Sequence, residues 1–247
     1  MNGARPGVLR CAGATDVGCR RERNEDDLVV EPQAGLLAVA DGMGGHAAGE
    51  VASHVAVTTL RELLVEATAP AIPPRERLRA AVEMANRRIL HEIASDPTRS
   101  GMGTTVVAAL VTPIEVALAH VGDSRAYLLQ NGRLERLTSD HSWVQEQVDM
   151  GILTSEQARG HPYRNVVTRA LGSRSEIEVA VRAIPVQPGD LLLLCSDGLS
   201  SMVDDARIGT ILSESQGDVG AACSRLIEAA KACGGEDNIT VVVAAFA

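Results

Sequence analysis

The chain has 247 residues, 45% of them hydrophobic and only 2% aromatic, so it is long enough for a substantial core, is not disordered by default, and must pack with Ala, Val and Leu. A formal net charge of −9 without any Lys/Arg-rich block argues against nucleic acid and an anionic membrane as partners, and leaves metal ions or a local arginine to attract any phosphorylated substrate. Five widely spaced cysteines without a CxxC pair predict free thiols in a reducing compartment, and the lack of a signal-like or bilayer-spanning apolar run makes a cytoplasmic monomer the expectation.

In chain order, residues 8–15 and 27–31 read as short strands around the mixed-charge turn GCRRERNED, which sets Arg20, Arg21 and Arg23 against Glu22, Glu25 and Asp26. Residues 36–40 are an apolar run too short for a helix, so a buried strand is predicted, with Asp41 at its end. Glycines 42, 44 and 45 then supply a pliable turn before a helix opens at His46. By itself Asp41 has two readings, a metal ligand on a rigid strand end or a cap for the next helix. Apolar spacing predicts helices over 46–67 and 75–95, separated by the APAIPP breaker and paired as an antiparallel hairpin. Strands follow at 104–111, 116–121, 126–130 and 134–138, with Asn131-Gly132 as a two-residue hairpin turn. Residues 139–175 are polar and irregular, with helix-like pieces at 144–150 and 155–159, the composition of a lid or binding loop. Strands at 177–184 and 191–195, helices at 204–213 and 219–233, and a last strand at 239–246 complete an α+β order of two packed sheets with helices outside.

Asp41, Asp123 and Asp197 each follow a buried-type strand beside a glycine, and Asp237 precedes one. Gathered at one sheet edge, such carboxylates repel and raise each other's pKa unless divalent cations neutralise them. Oxygen-only ligands favour Mg2+ or Mn2+ over Zn2+. Histidines 46, 54, 91, 120, 141 and 161 show no ligand spacing, and His46 alone shares a turn with one of these acids.

The motifs RxxNED at 21–26, ADGMGGHAAGE at 40–50, GMGTT at 101–105, HVGDSRAY at 120–127, SDH at 139–141, LLCSDGLS at 193–200 and EDNITVVV at 236–243 stand in order along the chain. Through them the sequence closely resembles the protein phosphatase 2C family, the metal-dependent Ser/Thr protein phosphatases, in its compact bacterial form. The resemblance implies a four-layer α-β-β-α sandwich of two central antiparallel sheets flanked by antiparallel helix pairs, as a single domain over 1–247. Residues 139–175 then correspond to the family's flap, which borders the site and shapes the choice of protein substrate. Two core ions, Mn2+ or Mg2+, are implied: Asp41 bridges them, Asp197 and Asp237 complete the first, and the Gly42 carbonyl binds the second, which Glu25 reaches through water. Asp123 with Asp197 matches a weaker third ion of bacterial members. Arg21 matches the family's phosphate-binding arginine, whose planar fork suits two phosphoryl oxygens. His46 has the intrinsic pKa to protonate the leaving oxygen; hydrogen bonding to bound water or helix capping are its other readings.

The reaction so implied is hydrolysis of phosphoserine and phosphothreonine on proteins by a water bridging the two ions, opposing a bacterial Ser/Thr kinase. The barrier to be removed is on the order of 20 kcal/mol, and two ions acting on one water and on the phosphoryl oxygens supply much of it without a Cys or Ser nucleophile. Phosphorylated proteins, Ser/Thr kinases and their substrates are the implied partners. The alternatives are a phosphatase dedicated to an anti-sigma-factor antagonist, and a non-catalytic pseudophosphatase that binds phosphoproteins and is expected to lack metal aspartates.

Overall fold

The computed structural model describes residues 9–44, 48–66, 72–112 and 115–247. In chain order the strands are β1 (Arg10–Asp16), β2 (Asp26–Glu31), β3 (Leu36–Met43), β4 (Gly103–Thr104), β5 (Val106–Val111), β6 (Val116–Val121), β7 (Arg125–Gln130), β8 (Arg133–Arg136), β9 (Ala180–Ile184), β10 (Leu191–Cys195) and β11 (Ile239–Ala245). The helices are α1 (Ala48–Arg61), α2 (Pro74–Ser95), α3 (Trp143–Asp149), α4 (Ser155–Arg159), α5 (Asp197–Ser200), α6 (Asp205–Glu214) and α7 (Val219–Ala232).

The strands make two antiparallel sheets, one in the order β1-β11-β10-β7-β8 and one in the order β2-β3-β5-β6-β9, with β4 beside β3. Side chains alternate across a strand, and the central strands are apolar on both faces because both faces are covered. Leu37 and Val39 of β3 meet Leu192, Leu194, Val242 and Ala244 in the layer between the sheets. Leu36, Ala38 and Ala40 point the other way, against Ala52, Ala56 and Leu60 of α1 and Leu78, Val82 and Ile89 of α2. The opposite outer face is covered by Ile208 and Leu212 of α6 and by Leu226 and Ala230 of α7. The four-layer α-β-β-α order is thus built from three apolar layers, dominated by small and branched side chains as the scarcity of aromatics requires.

Several boundaries differ from the sequence reading, each for a long-range reason. β3 does not stop at Ala40 but runs through Asp41 and Gly42 to Met43, because Gly42 and Met43 pair with Thr104 and Gly103. Asp41 therefore sits within a strand, opposite Asp26. The strand expected over 104–111 is broken at Thr105, whose hydroxyl accepts from the Asp41 peptide N–H at 3.1 Å and whose own N–H donates to the Asp41 carbonyl at 2.9 Å. The helix start expected at His46 lies outside the described residues, and the helix described from Ala48 ends in a wider π-type turn at Glu62–Glu66. Asp197, expected on a bare strand end, opens α5, and the strand expected over 177–184 begins at Ala180. The Asn131-Gly132 hairpin forms as expected, with positive φ at both residues (52° and 76°). Among the described residues no helix is long and apolar enough to cross a membrane.

Candidate active site

The acids stand where the layer between the sheets runs out. Asp26 continues the inward row of Leu28 and Val30 on β2, and Asp41 that of Leu37 and Val39 on β3, so the ladder that packs the core sets two carboxylates face to face at its end. From the other sheet, Asp197 follows β10 by two residues and Asp237 precedes β11 by two. Gly198 brings these together: a Cβ there would lie 1.9 Å from the Asn238 carbonyl oxygen. Asp123 enters from the turn between β6 and β7, where Gly122 takes a φ of 105°.

Asn238 holds the entry loop in place. Its Oδ1 accepts from the Glu25 peptide N–H at 2.8 Å, and its Nδ2 donates to the carbonyls of Val17 and Arg23 at 3.0 and 2.8 Å. Arg21, in the loop so fixed, donates to Asp237 Oδ2 at 2.8 Å while its side chain stays 54% exposed. Gly42 donates its N–H to the Glu25 carbonyl at 3.2 Å, and a Cβ at Gly42 would meet the carbonyl oxygens of Gly49 and Glu25 at 2.2 and 2.4 Å. Only glycine allows these three segments to close up.

The electrostatics of the cluster follow from crowding at the end of an apolar layer. Burial is the largest influence on Asp41, whose carboxyl is pushed well above the usual range, with the charges of Asp26, Asp197, Asp123 and Asp237 adding to it. Asp197 is raised by burial and then by Asp237, offset by a hydrogen bond with the Asp41 carboxyl. Burial lifts Asp123 to about 8, with Asp197 adding to the rise, and lifts Glu25. Asp26 is lifted to about 7 by burial; the hydroxyls of Thr240 and Ser196 moderate the rise from alongside, but neither carboxylate oxygen has a hydrogen-bond partner of good geometry. Such an orphaned buried acid is costly unless something of opposite charge satisfies it.

The donor set fits hard divalent cations, being all oxygen, strongly anionic and under-satisfied. The fit is one of charge and chemistry, since among the described residues no three His, Cys, Asp or Glu side chains already converge as a closed metal cage. Cys195 lies just behind Asp197, but it is fully buried and burial pushes its thiol up to about 12, which removes it as a thiolate nucleophile.

A cavity of about 570 Å³ opens from Asp123 and Asp197 and runs under α3 and α4. On its floor Arg125 grips Asp140 bidentately, Nη2 to Oδ2 at 2.7 Å and Nε to Oδ1 at 3.0 Å. Next to Asp140, His141 stacks on His120 with centroids 4.6 Å apart, accepts from the Gly122 N–H through Nδ1 at 3.1 Å and donates its backbone N–H to the Gly122 carbonyl at 2.9 Å.

Of the residues singled out in the sequence, Arg21, Glu25, Asp41, Gly42, Asp123, Asp197 and Asp237 are brought to this one edge; His46 lies outside the described residues. The sequence pattern does not by itself single out Asp26 or Asn238; they stand inside the RxxNED and EDNITVVV motifs, and the one signal for Asp26 is its place one step ahead of the β2 residues Leu28 and Val30, on the inward phase. A sequence profile described as protein phosphatase 2C matches residues 20–232. The chain belongs to the protein phosphatase 2C family. It is 42% identical over 234 residues to the serine/threonine phosphatase stp of Listeria monocytogenes, covering 93% of this chain and 92% of that one. It is 44% identical over 238 residues to the serine/threonine protein phosphatase PstP of Mycobacterium tuberculosis, covering 96% of this chain but 45% of that protein, so it spans about half the length of that relative. The crystal structure of the Mycobacterium tuberculosis phosphatase PstP/Ppp superposes with a TM-score of 0.90 at 43% identity, covering 97% of this chain and 99% of that one. A second PstP structure, of the catalytic domain in complex with two manganese ions, matches with a TM-score of 0.85 at 42% identity over 96% and 98% of the two chains.

Proposed function

We propose that this chain hydrolyses phosphoserine and phosphothreonine on proteins with Mn2+ or Mg2+ as cofactor, opposing a bacterial Ser/Thr kinase. The observation that carries this reading is the gathering of five mutually repelling acids, Asp26, Asp41, Asp123, Asp197 and Asp237, at one sheet edge, with both oxygens of Asp26 unsatisfied. Asp41, Asp197, Asp237 and the Gly42 carbonyl would hold two core ions, with Glu25 acting through water and Asp123 joining Asp197 for a weaker third. When bound, the cations supply an acidified water and neutralise charge on the phosphoryl oxygens.

The chain's own contribution is placement. Arg21, exposed at the mouth and tethered through Asn238, presents a planar fork to two phosphoryl oxygens. Asp26 sets a second carboxyl group beside Asp41 without itself reaching the mouth. His46, outside the described residues, is proposed to protonate the leaving oxygen. Residues 139–175 serve as the flap of one phosphatase domain acting as a monomer, and five free cysteines suit a reducing cytoplasm. A non-catalytic phosphoprotein binder is disfavoured because all the matched acids are present and converge on one edge.

The test is Mn2+-dependent phosphate release from a phosphothreonine peptide by the unmodified chain, compared with Asp41→Asn and Asp197→Asn. Activity in the first and its collapse in both variants is the expected outcome. An inactive unmodified chain across a range of Mn2+ and Mg2+ would end the enzyme reading.

A further inference from the structure

The cavity beneath the flap is lined by both signs of charge; each of its acids outside the cluster already has a hydrogen-bond or ion-pair donor, whereas two of its cations have no ion pair among the described residues. Asp140 is held by Arg125 at 2.7 Å and lies 3.7 Å from Arg136. Asp204 caps α6 by accepting from the Arg207 N–H, and Asp205 accepts from the Tyr127 hydroxyl at 3.1 Å. Asp123 and Asp197 belong to the acid cluster. Arg159 and Arg164 line the same cavity, are exposed, and among the described residues have no carboxylate within ion-pair distance.

Both arginines are set on anchored backbone. Arg159 ends α4, whose start is fixed by reciprocal bonds between Thr154 and Gln157. Arg164 follows a turn in which His161 stacks on Trp143 at 5.0 Å and Tyr163 meets the same ring edge-on at 5.3 Å; its N–H donates to the His161 carbonyl at 3.0 Å. An extended substrate whose phosphoryl group sits by the acid cluster and whose chain follows the cavity would run along the wall to which these two arginines belong.

We propose that Arg159 and Arg164 form a subsite for a second anion, and so select phosphoprotein segments that carry a carboxylate or another phosphoryl group a few residues from the phosphoryl group being removed. The proposal rests on the phosphatase reading for its substrate. A guanidinium fork binds either anion through charge-assisted hydrogen bonds. At a partly exposed site the combined effect is about three- to tenfold in KM.

Three phosphothreonine peptides discriminate: one with Ala flanks, one with Glu flanks on both sides, and one with a non-hydrolysable phosphonate as the second anion. Each is assayed with the unmodified chain, Arg159→Ala, Arg164→Ala and the double variant, alongside p-nitrophenyl phosphate, which is too small to reach the flap. The expected result is a KM about three- to tenfold lower for the anionic peptides at unchanged kcat, partial loss of that preference in each single variant, full loss in the double variant, and unchanged hydrolysis of p-nitrophenyl phosphate. A preference confined to the phosphonate peptide identifies phosphoryl as the anion and supports the subsite; one confined to the Glu peptide identifies carboxylate and does the same. Equal KM for all three peptides, or a preference that survives in the double variant, overturns it. Should no substrate be hydrolysed at all, the phosphatase reading fails separately, and fluorescence anisotropy of the same labelled peptides decides the subsite: equal binding by the unmodified chain and the double variant refutes it.

Discussion

Asp26 and Asp41 hold their places through an unbroken β2–β3 ladder, Asp197 and Asp237 flank strands that pair residue for residue, and Gly42 and Gly198 leave no room for even a methyl group. Residues 139–175 are joined to this frame differently, by the isolated bridge of Thr104 to Leu171, while Ser142 to Val167 closes the segment on itself, and its helices α3 and α4 are short. Among the described residues, the exposed large hydrophobic side chains other than Ile72, namely Met150, Ile152, Tyr163 and Val166, lie on it. The difference separates two tasks. Stabilising charge on a phosphoryl group depends on groups already in position, which paired strands and the short connections at their ends provide. The flap role proposed for residues 139–175 needs adaptable contacts with little structural cost, which a loosely tied segment supplies.

The sharpest way to break the frame is chemical. Asp41→Asn should lower kcat/KM for a phosphothreonine peptide by more than about a hundredfold, the scale of losing a preorganised electrostatic group, with little change in circular dichroism. Next comes removal of bound metal by EDTA: because the ions bind the folded state and relieve its repulsion, the unfolding free energy should fall by about 2.7 kcal/mol relative to metal at a hundred times its Kd, read from urea midpoints. A purely steric attack follows. Gly198→Ala should cost about 1–3 kcal/mol, as overpacking does, and activity should fall with it, since the displaced Asn238 carries the loop of Arg21 and Glu25.

The junction between frame and flap has its own signature in acid. Burial, then the charge on His120 and Arg169, holds His141 down at about 4 against an ordinary 6.5, with Asp140 opposing; His120 is lowered too, chiefly by burial. The unfolded chain thus binds more protons than the folded one between about pH 4 and 6.5, so this contribution is present above that window and is lost as pH falls through it. His141→Gln should flatten the fall in urea midpoint between pH 7 and 4.5; an unchanged slope would remove His141 from the junction. The smallest effect is expected on the flap, where Tyr163→Ser should shift stability by no more than about 0.5 kcal/mol. A much larger loss would show that the flap is packed into the frame and that the contrast between them does not hold.

The architecture was legible because its signals are local. The short continuous apolar runs of β5, β6 and β10, the Asn131-Gly132 turn and the helical stripe of α2 all read directly from neighbouring residues, and the acid-glycine pairs at strand ends marked most of the site. What escaped depends on partners far away in sequence. Asp41 lies within a strand because it pairs with Asp26 of β2 and because residues 103–104 carry β3 on through Gly42 and Met43. Asp26 looks like one more charge in a polar turn until the register with β3 turns it inward. Arg159 and Arg164, in a segment without periodicity, acquire significance only once the acids around them are seen to be occupied. His46 lies beyond the described residues, and its place in the chemistry rests on sequence.

The turn at residues 32–35 that joins β2 to β3 carries a further consequence. Gly35 takes a φ of 71°, and a side chain there would strike the Val111 carbonyl, so the turn is fixed in shape as well as position. Adding or deleting one residue in it would shift the β2 register and turn Asp26 away from Asp41 without altering any acid. The molecule is therefore length-locked at this turn: a single-residue insertion in these four residues would silence the site with every acid still present.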